Sequence, residues 1–456
     1  MGLSNLNSLR TKLFVWIAIS VITKIMWGDE LQEKCLIGNL KVCLWNGLYI
    51  FLVLLISTVF TIPVILIPQH DIIEYPEYWW ELILQSGVGV IPFAINTCLE
   101  CRTIFRYEFL ASRGFLARLL GVIILSTLTW TSMIVVLWAL ILQYNLPFPF
   151  YGMTVFLVSN SIHLIQLWYE FPLKLRADKI ERKRIRNYIW YRLWFVFYGF
   201  QKFALKFILL ALPVIAQPIM AFIFPLAREI NLKILSRFLE KASDPRVTNE
   251  MVPKLTATIS VNIVHSFFVA LIIASNASYT TSICILAVDF LLNIFSSIQI
   301  IRYHRKTLPK DAMRSLEATK YEKMKKEETL DLYAVESIEY LVPFIYTVTF
   351  LIAYYGPNAD IIGNIRMTRW KFQGVDDVKS YTEELLKMFA IDLAGLMVST
   401  IMFWKLAQIN MMQEGYKIMK LYWPLIAVKI GTKIYQVTNY IENITGFILF
   451  IEKFSE

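Results

Sequence analysis

Apolar runs of about 20 residues, separated by short polar stretches, recur along this chain. That length is what a helix needs to cross the hydrocarbon of a bilayer. Each backbone N–H or C=O left unpaired in lipid costs several kcal/mol, so such runs read as helices rather than isolated strands or loops. The alternating pattern of a transmembrane barrel is absent. The strongest runs are 44–67 and 119–142, both uncharged. Runs at 152–171, 257–274, 280–301, 340–355 and 386–406 join them. The run at 82–99 is weaker, because Gly87, Gly89 and Pro92 lower its helix preference.

Three regions break the simple pattern. The stretch 193–226 holds Lys202, Lys206, Pro213, Pro218 and Pro225. As one straight helix it would reach about 50 Å. It reads instead as a kinked helix with an extension, or as a helical hairpin returning to its starting side. The run 421–437 is apolar but carries Lys429 and Lys433, so one more span or two interfacial helices fit the last third equally. The first apolar run, near residues 13–27, is interrupted by Lys24 and reads as a retained signal anchor or an interfacial helix. The expected fold is an all-α, polytopic transmembrane helix bundle of about eight to ten membrane helices. It forms a single integral membrane domain over residues 1–456.

Composition agrees with this. Hydrophobic residues make up 57% of the 456 positions and charged ones 18%. A soluble domain carries roughly 25% charged residues, and its core could not hide this apolar excess. The net charge of +10 changes the picture only through its distribution. Lys and Arg crowd the segments 100–118, 172–192, 228–256 and 302–339. The loop 68–81 has Asp71, Glu74, Glu77 and Glu81 with no cation, and 143–151 and 275–279 are uncharged. Short basic loops stay on the cytosolic side. The N-terminus and basic loops are therefore expected in the cytosol, the protein in the plasma membrane or an endomembrane, and nucleic acid is not an expected partner. The charged segment 302–339 reads as a cytosolic helix. Its basic half, 302–326, either is simply solvated or rests on anionic lipid headgroups.

Chemistry is sparse. Phosphate-binding, dinucleotide, zinc-protease and serine-hydrolase motifs do not occur. No cofactor is assigned, the oligomeric state stays open, and enzyme activity is not the favoured reading. Cys98 and Cys101 form a lone C-x-x-C, which reads as two small helix residues or as a weak metal or redox motif. Cys35 and Cys43 could pair if their segment were an oxidised loop. Charges inside membrane helices are costly and mark functional sites by default. Asp289 and Asp392 fall within apolar runs, as do Asn262, His265 and Asn293. Asn293 follows Asp289 by four residues and shares its helix face, and Asn262 and His265 share another. These five either face one cavity that binds a cation, proton or polar substrate, or form interhelical hydrogen bonds of about 0.6 kcal/mol each. Lys202 and Lys206 either snorkel to the surface or meet an intramembrane acid. The loop 356–385 is long enough for a lid. The function expected is transporter or channel-like movement of a small solute, ion or lipid. The alternative is a receptor with an extracytosolic ligand pocket and basic cytosolic loops. A lipid-modifying enzyme comes third, for want of a catalytic constellation.

Overall fold

A computed structural model describes residues 33–66, 176–213, 215–243, 251–274, 279–305, 316–355, 375–407 and 409–455, with Trp168, Phe171 and scattered residues between 92 and 136. Among these residues all regular structure is helical. The helices are α1 (Glu33–Leu66), α2 (Lys179–Ala211), α3 (Met220–Ala242), α4 (Met251–Ala274), α5 (Tyr279–Arg305), α6 (Leu316–Tyr355), α7 (Val375–Met402) and α8 (Met411–Ser455). Among the described residues four stretches are long and apolar enough to cross a membrane: Val252–Ile273, Thr280–Arg302, Glu328–Ile352 and Thr382–Ala407. Leu44–Val59 is a shorter apolar stretch. Most of the runs at 82–99, 119–142 and 152–171, with residues 1–32 and the loop at 356–374, lie outside the described residues.

The stretch 193–226 folds as part of a helical hairpin. Asp178 caps α2, its Oδ1 accepting from the N–H groups of Ile180 (2.7 Å) and Glu181 (3.1 Å). Pro213 cannot continue that helix, and Pro218 opens the 3-10 turn Gln217–Ile219 that leads into α3. At the base, Arg184 Nε donates to the Ala242 carbonyl and Asn187 Nδ2 to that of Lys241. At the tip, Thr281 Oγ1 donates to Gln217 Oε1. The hairpin thus reaches from the end where α4 starts to the end where α5 starts. The basic residues at the start of α2, the end of α3, the start of α4 and the end of α5 gather at the first of these ends. Trp190, Phe197, Ile208, Phe222 and Leu226 of the hairpin, with Leu291 and Phe295 of α5, are exposed. An apolar belt of this size suits lipid rather than water.

Around this frame α4 is the axis. From Leu255 to Ile273 every residue is buried, and α2, α3, α5, α6, α7 and α8 all touch it. A helix apolar on all sides needs such a sheath. The α6 helix runs unbroken through the composition change at residue 340, so Glu336 and Glu339 of the polar-looking stretch are buried at 1% and 6% exposure.

The most extensive helix pair is α1 with α8. Asn46 Nδ2 donates to the Met412 carbonyl and Ser57 Oγ to that of Ala427, so the two helices run parallel. Cys35 and Cys43 lie in one helix, α1. Eight residues at 1.5 Å each separate them by about 12 Å, well beyond the about 7 Å limit for a disulfide, so they do not pair within the chain. Where α8 crosses α6, the face of Tyr333 rests on Gly415, and a Cβ there would lie 2.0 Å from its Cζ. Gly415→Ala is therefore expected to lower stability by about 1–3 kcal/mol through overpacking. Adding Tyr333→Ala should make the two losses less than additive. Thermal unfolding in detergent measures both, and an unchanged G415A melting temperature would mean the ring is not seated there.

Candidate functional site

Two polar stripes climb from the basic end of the bundle and meet inside it. On α4, Lys254, Thr258, Asn262 and His265 follow helical spacing. Lys254 Nζ lies 2.6 Å from Asp331 Oδ2 of α6, and Thr258 Oγ1 donates to Asp331 Oδ1 at 3.3 Å. Asn262 Nδ2 donates to the Thr258 carbonyl at 2.8 Å, while its Oδ1 is buried without a hydrogen bond. On α5, Ser297, Asn293 and Asp289 are four residues apart and share a face. The stripes converge where His265 Nε2 lies 3.5 Å from Asp289 Oδ2.

The hairpin supplies two cations to this junction. Lys202 Nζ is fully buried, 2.9 Å from His265 Nδ1 and 3.2 Å from the Phe224 carbonyl. The rings of Tyr198 and Phe224 lie 5.4 and 5.2 Å from it, close enough for cation–π attraction. An ammonium can only donate, so Nδ1 accepts and the imidazole hydrogen sits on Nε2, facing Asp289. Arg228 Nη1 of α3 donates to Glu339 Oε1 at 2.9 Å, and Asn293 Nδ2 donates to Glu339 Oε2 at 2.5 Å.

A second acid lies one turn along α6. Glu336 Oε1 accepts from Ser399 Oγ of α7 at 3.0 Å, and Ser399 Oγ is 3.0 Å from Ser297 Oγ. Gly395 admits the carboxylate, since a Cβ there would stand 3.4 Å from Glu336 Oε2. Asp392, seven residues before Ser399 on α7, is within electrostatic range of Glu339, Asp289 and Glu336. Its Oδ2 and Asp289 Oδ1 are both buried without a hydrogen bond among the described residues.

The network has a direction. At about 1.5 Å per residue along α6 from Glu328, Asp331 lies about 5 Å in, Glu336 about 12 Å and Glu339 about 17 Å. Along α5 from Arg302, Ser297 is about 8 Å in and Asp289 about 20 Å. The hydrocarbon layer is about 30 Å thick. Lys254 at the rim is partly exposed, with its side chain at 40%. Beyond Asp289 aromatic side chains close the interior. Phe267 packs edge-on against Tyr346 at 5.2 Å, and Phe389 meets both Tyr340 and Phe344. Above Phe267 and Phe268, Val269 to Ile273 of α4 are all apolar and buried.

A separate cluster ties α2 to α8. The Glu100 carboxylate, fully buried, accepts from Tyr188 (3.0 Å), Tyr191 (3.1 Å), Arg192 (2.6 Å) and Lys429. Arg192 also donates to Thr97, and Tyr191 shares a hydrogen bond with Ser260 of α4.

Of the residues singled out from sequence, Asp289, His265 and Asn293 come together at the junction, Asp392 lies within electrostatic range of it, and Asn262 sits on the stripe leading to it. Lys202 is buried in the network rather than at the surface. Arg228, Glu336, Glu339, Ser399 and Glu100 escaped sequence reasoning. The spacing of Glu336 and Glu339, three apart and leading into an apolar run, was the available signal for one pair. Among the described residues no grouping of His, Cys, Asp and Glu could hold a metal ion. No family model, curated protein or solved structure matches this chain.

Proposed function

We propose that this chain is an integral membrane transporter that moves a small charged or polar solute past the Asp289–His265 junction. One observation carries the reading: a polar, charge-bearing path enters from one end, passes the middle of the bundle, and stops under an aromatic layer. Charges at such depth are costly and mark ion or substrate routes. A carrier closed on one side has this form, whereas a receptor pocket would open on the other side, where Phe267, Tyr346 and Phe389 pack against their neighbours. Positive-inside reasoning makes the basic end cytosolic. On that orientation the aromatic layer lies between the junction and the outside. Anionic lipid headgroups on the cytosolic side are the expected partner of the basic stretch 302–326.

The test is exposure of the path to each face in turn. In a background with the native cysteines replaced by alanine, Asn293→Cys is expected to react with a membrane-impermeant maleimide from both sides of reconstituted vesicles, faster from the basic side. Adding Asp289→Asn should slow labelling from the far side by about tenfold, a barrier change of about 1.4 kcal/mol. Labelling confined to one side at all times would sink the transporter reading.

A further inference from the structure

We infer that Asp289, Glu336, Glu339 and Asp392 form a proton-binding site, loaded from the basic end, that serves as the coupling site of the transport proposed above. The inference rests on that reading for its purpose, but its evidence is separate. Among the described residues, charged groups reach these four acids from several helices, and Glu229 lies 3.6 Å from Arg228. Lys202 comes from α2, Arg228 from α3 and His265 from α4, while α5, α6 and α7 supply the acids themselves. Helix α8, which meets α6 at Tyr333, brings Glu414 and Lys417, which pair with each other. Its Lys429 is paired with Glu100.

Four carboxyl groups therefore face one permanent cation, Arg228, and one lysine, Lys202, with His265 between Lys202 and Asp289, so at most two positive charges stand against them. At least two negative charges would stay uncompensated in a buried site if all four were ionised, and isolated buried charges neutralise instead. A proton is the ligand that the surroundings can accept. Asp289, 8% exposed, keeps one oxygen without a hydrogen bond inside the network, and Asp392 keeps another. A protonated carboxyl could turn such an oxygen into a donor. The Glu336–Ser399–Ser297 chain works in either proton state. With Glu336 ionised, Ser399 spends its single hydrogen on the carboxylate and accepts from Ser297. With Glu336 protonated, the acid donates to Ser399 and Ser399 to Ser297, with the same heavy atoms in place. The proton arrives from water at the Lys254–Asp331 rim, forms an O–H bond on a carboxylate oxygen, and leaves by the reverse step. No redox partner is involved.

Infrared difference spectroscopy of the full-length protein in lipid, between acid and alkaline pH, reads this directly. Protonated carboxyl C=O bands that shift in D2O are expected in wild type. Glu336→Gln and Asp392→Asn should each remove one band, while Ser399→Ala should move the Glu336 band without removing it. The spectra are taken in choline chloride and repeated in sodium chloride. Absence of such bands, bands indifferent to all three substitutions, or bands abolished by sodium would overturn the inference, the last in favour of a metal cation. The readout does not depend on transport. Bands without two-sided labelling of N293C would refute the transporter reading and leave the proton site standing, and the converse result would do the reverse.

Discussion

Replacing Arg228 with methionine is expected to destabilise the protein by about 3–5 kcal/mol, the range for removing one partner of a buried ion pair. Arg228 and Glu339 are both buried, and their contact at 2.9 Å joins α3 to α6. Without the guanidinium, Glu339 keeps Asn293 as its one hydrogen-bond donor among the described residues and faces Asp289 and Asp392. The loss arises from the stranded acid rather than from a missing attraction. A second substitution should therefore repair it: R228M with Glu339→Gln is expected to regain most of the stability, since a neutral amide of the same size carries no charge to strand. Arg228→Lys should fall between wild type and R228M, because an ammonium keeps the charge but not the planar fork. Chemical and thermal unfolding in detergent would measure all three. An R228M protein of wild-type stability, or a double variant no better than R228M, would show that the pair does not hold α3 against α6.

That pair also shows where reading the sequence stops. The apolar runs at 257–274, 280–301 and 386–406 were legible because lipid demands long uninterrupted stretches, and length alone separates them from loops. Asp289, His265 and Asn293 were legible for the same reason: a polar residue inside such a run stands out against its neighbours. Arg228, Glu336 and Glu339 lie instead at the margins, where charges are numerous and a count along the chain assigns them to polar segments. Only the meeting of α3, α5 and α6 reveals that they are inside. Likewise α6 changes composition at residue 340 without changing direction, because its acids are satisfied by Arg228, Asn293 and Ser399 from other helices. The hairpin at 193–226 was half legible. Its prolines required a break, but choosing between kink and return needed the contacts of Arg184 with Ala242 and Gln217 with Thr281.

The second large effect is expected at Glu100. Its carboxylate takes four donors at once, from Tyr188, Tyr191, Arg192 and Lys429. Two of these are buried cations with no other acid recorded against them among the described residues. In Glu100→Gln the shape survives, but the anion is gone and an amide N–H is turned toward groups that also donate. Two cations are then left in a dry site, so the loss should reach or exceed about 3–5 kcal/mol. Lys429→Met added to E100Q removes one stranded charge and should restore part of the loss, although K429M alone destabilises. The damage should also be local before it is global. Amide hydrogen exchange in α8 around Lys429 and in α2 around Tyr188 to Arg192 should quicken first, because local opening follows the contacts that hold a segment. Rates in α5 and α7, which do not touch the cluster, should change least. If E100Q were as stable as wild type, or if K429M worsened it additively, Glu100 would be no more than one polar contact among many. The tie between α2 and α8 would then have to rest on packing, through Phe195 beneath Lys429 and Lys433.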